Sequence, residues 1–264
     1  MKTHTSILKI AVVIGYIAMV GVNFLANALP IGGVTTGQAS DSFANLFTPA
    51  GVTFSIWGLI YLLLLGYTLY QLVVGKRPLT QGREGMFATI NRYYLIASIA
   101  NIAWIFAWHY GVIWLSVIIM FVLLISLLKI ADVIHHEKFN RLETVLVRLP
   151  FSIYFGWITI ATIANVTVFF VSTNWNGFGI DESIWTVAIL LVGAAIGIVR
   201  MLKDKNIYYG LVLVWAYGGI LIKHTSASGF DGVYLNVITT VIVCMVLFVG
   251  SIGYVGYTKK AFSR

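Results

Sequence analysis

The sequence predicts an all-α membrane protein, a polytopic helical bundle of about eight transmembrane helices. Three observations carry that prediction. Of its 264 residues, 59% are hydrophobic and only 10% are charged, where an ordinary soluble domain carries about 25% charged residues. Mean hydropathy is +0.92. The apolar residues also gather into stretches of the roughly 17–25 residues that a bilayer-crossing helix needs. This composition excludes a soluble enzyme, a disordered chain and a disulfide scaffold. Cys244, the single cysteine, sits in an apolar run and has no partner for a bridge.

Eight such stretches follow one another at 7–29, 51–74, 93–110, 112–130, 149–171, 184–201, 207–222 and 233–257. Hydrocarbon offers no hydrogen bonds to backbone amides, so each is expected to be helical. The first follows Lys2 and contains Lys9, and it ends in Ala26-Asn27-Ala28, which resembles a signal-peptide cleavage site. Its apolar core exceeds the 7–15 residues of a signal peptide, so it is read as a retained helix. The sixth and seventh are short. No long soluble domain is left over.

Charge orients the helices. With both termini and the second, fourth and sixth loops on one side, that side holds 16 of the 17 basic residues, leaving Lys223 opposite. Among them are Lys76, Arg77, Arg83, Arg92, Lys129, Arg148, Arg200, Lys203 and Arg264, while Asp41, Asp181, Glu182 and Asp231 fall on the other side. Basic loops mark the cytoplasm. Both termini are therefore expected to be cytoplasmic, in a multi-pass protein of the cell membrane. The net charge of +8 is distributed between spans rather than along one face, so no nucleic-acid partner is expected; membrane lipid is.

No Asp, Glu, Lys or Arg falls near the middle of any span. Ion-coupled carriers usually place such groups there, and most hydrolytic mechanisms need paired carboxylates. His135-His136-Glu137 lacks the spacing of a metal site. His109 and His224, at helix ends, are expected at the membrane interface. No P-loop, dinucleotide fingerprint or GxSxG is present. No enzyme activity and no required cofactor or metal are predicted.

Aromatic and amide side chains recur inside the spans at helical spacing. Trp57 and Tyr61 are four apart; Asn101, Trp104 and Trp108 share a face; Tyr154, Trp157, Ala161 and Asn165 form one stripe. Such faces serve helix packing as well as a ligand pocket. Trp114, Trp175 and Trp185, near span ends, are expected to be interfacial anchors.

These residues also form motifs. Phe47-Thr48-Pro49-Ala50-Gly51, running into Phe54-Ser55-Ile56-Trp57-Gly58-Leu59-Ile60-Tyr61, resembles the first loop and second helix of the TspO/MBR family of tryptophan-rich sensory proteins and translocator proteins. Asn101-Ile102-Ala103-Trp104 resembles the family's third helix, and Tyr154-Phe155-Gly156-Trp157, Ala161-Thr162 and Asn165 resemble its fifth. Ile105-Phe106 replaces the family's double proline, and Ile153 replaces a proline beside Tyr154. The motifs cover residues 7–171. The resemblance therefore implies an extended relative, with a five-helix core at 1–171 and three further helices at 172–264.

The resemblance implies a receptor or sensor that binds a hydrophobic aromatic ligand, porphyrin- or sterol-like, in a Trp-lined intramembrane pocket. By motif, the lining residues are Trp57, Asn101, Trp104, Tyr154, Trp157, Ala161 and Asn165; a porphyrin or haem is a candidate ligand rather than a cofactor. The first loop, 31–50, has the length of a lid, with Phe43, Leu46 and Phe47 able to fold its second half inward. The alternative is a permease or flippase-like transporter of a small amphipathic molecule, for which no internal repeat is found. Gly193 and Gly197 form a GxxxG that permits close packing within the chain or against a second copy. Homodimers are known among the relatives.

Overall fold

The computed structural model describes residues 2–29, 31–74 and 80–261. They are helical, with no strand among them: α1 (Lys2–Ala28), α2 (Thr36–Asp41), α3 (Ile56–Val74), α4 (Gln81–His109), α5 (Ile113–His135), α6 (Arg141–Glu143), α7 (Leu149–Ser172), α8 (Glu182–Asp204), α9 (Ile207–Thr225) and α10 (Leu235–Ala261). Each predicted span lies in one of these helices. Lys76, Arg77 and Arg264, used above to orient the chain, lie outside the described residues.

Seven helices among the described residues are long and apolar enough to cross a membrane. The eighth expected span, 93–110, lies in α4, which begins twelve residues earlier than hydropathy suggests. At 29 residues it is about 43 Å long, against roughly 30 Å of hydrocarbon. Its polar residues Asn91, Ser98 and Asn101 are buried; side chains satisfy the two amides, and Ser98 donates to the Tyr94 carbonyl one turn back.

The chain divides into two compact units. The first comprises residues 1–39 and 57–155, the second 40–56 and 156–264. The division falls inside α7, between Phe155 and Gly156.

In the first unit α4 packs against α1 on one side and α5 on the other. Amides join the helices. Tyr67 donates to Asn91 Oδ1 at 2.6 Å, Asn91 Nδ2 to Gln71 Oε1 at 3.2 Å, and Gln71 Nε2 to the Lys9 carbonyl at 3.3 Å. Hydrogen bonds between helices replace the hydrophobic drive that lipid removes. Beside this ladder Tyr67, Tyr94 and Phe151 meet edge to face, with centroids 4.7–5.7 Å apart.

A capping box opens the helical run that leads into α7. Glu143 N–H donates to Asn140 Oδ1, and Glu143 Oε2 accepts from Asn140 N–H. Glu143 Oε1 accepts from Arg83 and from Tyr70. Thr144–Arg148 then form a π-turn in which Leu149 N–H reaches back to the Thr144 carbonyl. Pro150 follows without an N–H to donate, and the wider turn accommodates the interruption.

In the second unit α10 packs against α9 and α8. The GxxxG of α8 faces its own chain. A Cβ on Gly193 would stand 2.9 Å from the Tyr217 hydroxyl, and one on Gly197 2.5 Å from Leu213. Tyr217 spans that close approach by donating to the Leu190 carbonyl at 2.7 Å.

Candidate functional site

In the first unit the predicted residues fall into two groups. Asn101 is fully buried in α4. Its Oδ1 accepts from Asn23 Nδ2 at 2.6 Å, and its Nδ2 donates to the Tyr154 hydroxyl at 3.2 Å. Asn23 Nδ2 also donates to the Met19 carbonyl one turn back along α1. The ring of Tyr154 meets Trp57 edge to face at 5.9 Å, and Trp57 stacks on Tyr61 at 5.5 Å with 20° between planes. Trp57 is half-buried. The arrangement is an amide fixed by two polar neighbours beside a partly open indole.

Asn23 was not singled out in the sequence, although an asparagine within an apolar span is itself a signal. Spacing places Asn101 and Tyr154 on their helices but leaves their partnership illegible. Side chains of α1 and α7 bond the Asn101 amide.

Trp104 joins a different group. It stacks on Trp108 at 5.4 Å, one turn further along α4. The Trp108 indole N–H donates to the Thr36 carbonyl at 3.3 Å. His109 lies 2.9 Å through Nδ1 from the Ile31 carbonyl and 3.0 Å through Nε2 from Thr36 Oγ1. A carbonyl only accepts, so Nδ1 carries a proton, and Nε2 shares a hydrogen bond with the threonine hydroxyl. His109 is buried. The start of the long first loop is fastened to the end of α4. Gly32, at φ +68, fits because a Cβ there would stand 3.0 Å from the His109 carbonyl.

In the second unit the other half of the loop is fastened to α8 and α9. Asn45 Oδ1 folds the turn by accepting from Phe47 and Thr48 N–H. Leu46 N–H donates to Glu182 Oε1 at 3.1 Å, and the Leu46 carbonyl accepts from His224 Nε2 at 2.8 Å. His224 is fully buried and, like His109, holds loop backbone. Ala50 N–H donates to the Gly219 carbonyl at 3.0 Å, and the Trp215 indole to the Thr53 carbonyl at 2.9 Å. Leu46 and Phe47 are buried as expected, Phe43 only partly.

The remaining predicted residues lie on the second unit's part of α7. Trp157 is buried and meets Phe54 edge to face at 5.8 Å. Asn165 is buried and Ala161 half-buried. Gly156, inside the same motif, allows close approach, since a Cβ there would lie 2.9 Å from Val212 and 3.1 Å from the Tyr209 carbonyl. The neighbouring Thr159 hydroxyl accepts from Tyr209 at 3.2 Å.

Among the described residues no three His, Cys, Asp or Glu side chains come together as a metal site. Asp181, on the loop before α8, caps that helix by accepting Ser183 N–H at 2.8 Å. Hydrogen bonding to Ser183 holds its carboxyl below the ordinary value.

No curated protein and no solved structure matches this chain. The sequence pattern of the family described as TSPO-like protein matches residues 9–254. That match runs through α8, α9 and α10, further than the motifs at 7–171 reach. With its motif residues placed on α3, α4 and α7 of an all-helical, multi-pass membrane protein, the chain belongs to the TSPO-like family.

Proposed function

We propose that the protein is a membrane receptor or sensor that binds a hydrophobic aromatic ligand, porphyrin- or sterol-like, and is not an enzyme. Trp57, Asn101, Trp104 and Tyr154 of the first unit are the proposed contacts. The observation that carries the reading is the half-buried Trp57 ring, set against Tyr154 and Tyr61 beside the fixed Asn101 amide. A flat ligand gains stacking area from such rings, and a fixed polar group gives it one orientation. Both termini are placed in the cytoplasm, in keeping with the basic loops.

Titration of the purified protein in detergent with protoporphyrin, followed by tryptophan quenching, tests this. Saturable quenching is expected, with affinity about tenfold weaker in Trp57→Leu, the loss of roughly one aromatic contact. Absence of saturable quenching overturns the receptor reading. Uptake of an amphipathic solute by proteoliposomes, without such binding, favours a permease.

A further inference from the structure

Where α7 ends and α8 begins, the second unit contains a hollow of about 330 Å³, at the lower end of the roughly 300–1,000 Å³ of small-molecule sites. Phe170, Trp175 and Trp185 line it, and Glu182 is its only charged lining residue. Phe170 and Trp185 meet Trp175 at 4.8 and 5.2 Å between ring centroids. The Trp185 indole N–H donates to the Gly177 carbonyl at 2.9 Å, so the ring's polar edge is satisfied by the loop.

That loop is conformationally unusual. Asn174, Gly177, Phe178 and Gly179 all have positive φ, between 53° and 76°. A phenylalanine there is an outlier, and strain of this kind persists only where surroundings over-determine it. Trp185 supplies part of that constraint: a Cβ on Gly177 would stand 3.0 Å from its Nε1. Glu182 fixes the opposite wall, since its Oε1 takes the Leu46 N–H of the segment that brings Ala44 to the lining.

The lining selects among ligand classes. An anion is repelled by Glu182, and a wholly apolar ligand desolvates that charge without compensation. A hard metal ion needs several oxygen ligands, which one carboxylate among rings does not supply. An organic ammonium satisfies both parts of the site, because its charge meets the carboxylate while its alkyl groups lie on the ring faces. The adjoining candidate spans end at Ser172 and start at Glu182, the level at which Trp and lipid head groups meet.

We propose that this hollow binds a quaternary ammonium group, from a choline-headed lipid or a free choline-like amine. The site is separate from the porphyrin- or sterol-type pocket and does not depend on it.

Choline chloride, titrated calorimetrically into the full chain in nonionic detergent against sodium chloride at equal ionic strength, tests the proposal. Saturable binding is expected, weakened about tenfold in Glu182→Gln and in Trp175→Leu, the loss of one ion-pair or ring contact. Glu182→Gln keeps a carbonyl for Leu46 N–H, so the loop stays fastened while the charge goes. Trp175→Phe, which keeps a ring, retains most of the binding and controls for damage to the fold. Two results overturn the proposal: no saturable heat, or equal affinity in wild type, Glu182→Gln and Trp175→Leu. Purification from mixed phosphatidylcholine and phosphatidylglycerol separates the sources. Phosphatidylcholine retained by wild type and lost from Glu182→Gln identifies the lipid head group, whereas choline binding without such retention identifies the free amine.

Discussion

Asn23 and Asn101 share a 2.6 Å hydrogen bond between α1 and α4, in a part of the chain otherwise built from apolar side chains. The Tyr154 hydroxyl extends the bond to α7, so one carboxamide ties three helices. This three-way tie is the best-defined polar feature among the residues that the family motifs point to.

Replacing Asn101 by alanine leaves Asn23 and Tyr154 each short of a partner. The expected cost is about 1–2 kcal/mol, the scale of a hydrogen bond between helices in lipid. Asn23→Leu combined with Asn101→Leu removes both amides and costs less than the sum of the single changes. Reversible unfolding in mixed micelles measures the coupling; strictly additive losses contradict it.

Gly219 is the seat of the long loop's second half. A Cβ there collides with Thr53 Oγ1 and comes within 2.7 and 2.8 Å of its Cγ2 and Cβ. Thr53 is buried and β-branched, so it has little room to give. Gly219→Ala is expected to release residues 50–55 from α9, and Thr53→Ala in the same chain to restore them only in part, because it removes the two closest side-chain atoms but leaves the Thr53 Cβ at 2.8 Å. Proteolytic nicking of the loop reads both results.

At the other end of the loop, Gly32→Ala forces a β-carbon into the left-handed region, at about 1–2 kcal/mol. Thr36→Val removes the hydroxyl bound to His109 Nε2. Each change is expected to speed amide exchange around residues 31–39 while leaving the loop's 45–53 segment protected. Equal acceleration in both segments shows that the loop opens as one body.

Asp181 gives α8 a pH-dependent start. Its folded carboxyl titrates below the ordinary 3.8 because of the bond to Ser183. A lowered folded pKa means that the stabilising contribution is complete above the unfolded value and disappears as pH falls through the folded one. Exchange of the Ser183 amide is therefore expected to accelerate on acidification beyond the normal change in intrinsic rate. Asp181→Asn keeps a capping oxygen and is expected to lose that extra pH dependence.

Much of the fold was legible because lipid imposes length and apolarity on whatever crosses it. Seven spans announce themselves by that rule. The beginning of α4 does not, because Arg83 and Asn91 find Glu143, Tyr67 and Gln71 as partners, and hydropathy cannot register a partner distant in sequence. The site was legible to the same degree. Periodicity put Asn101 and Trp104 on one face of α4, yet one bonds to Asn23 and Tyr154 while the other stacks towards the loop. The carbonyls that both histidines hold were illegible for a similar reason: a ring at a helix end does not announce the distant backbone it bonds.

The π-turn at Thr144–Arg148 winds one additional residue into the run that ends at Ser172. Each residue of an α-helix advances the azimuth by about 100°. Deleting a single codon in that turn returns it to regular α-helix, whereas deleting one between the turn and Tyr154 would swing the whole Tyr154–Trp157–Ala161–Asn165 row around the axis in one step, with no substitution in the row itself. Recognition chemistry in this helix is thus subject to a mutation class that leaves every recognising side chain intact, and its divergence among relatives is to be sought in gaps as well as in exchanges.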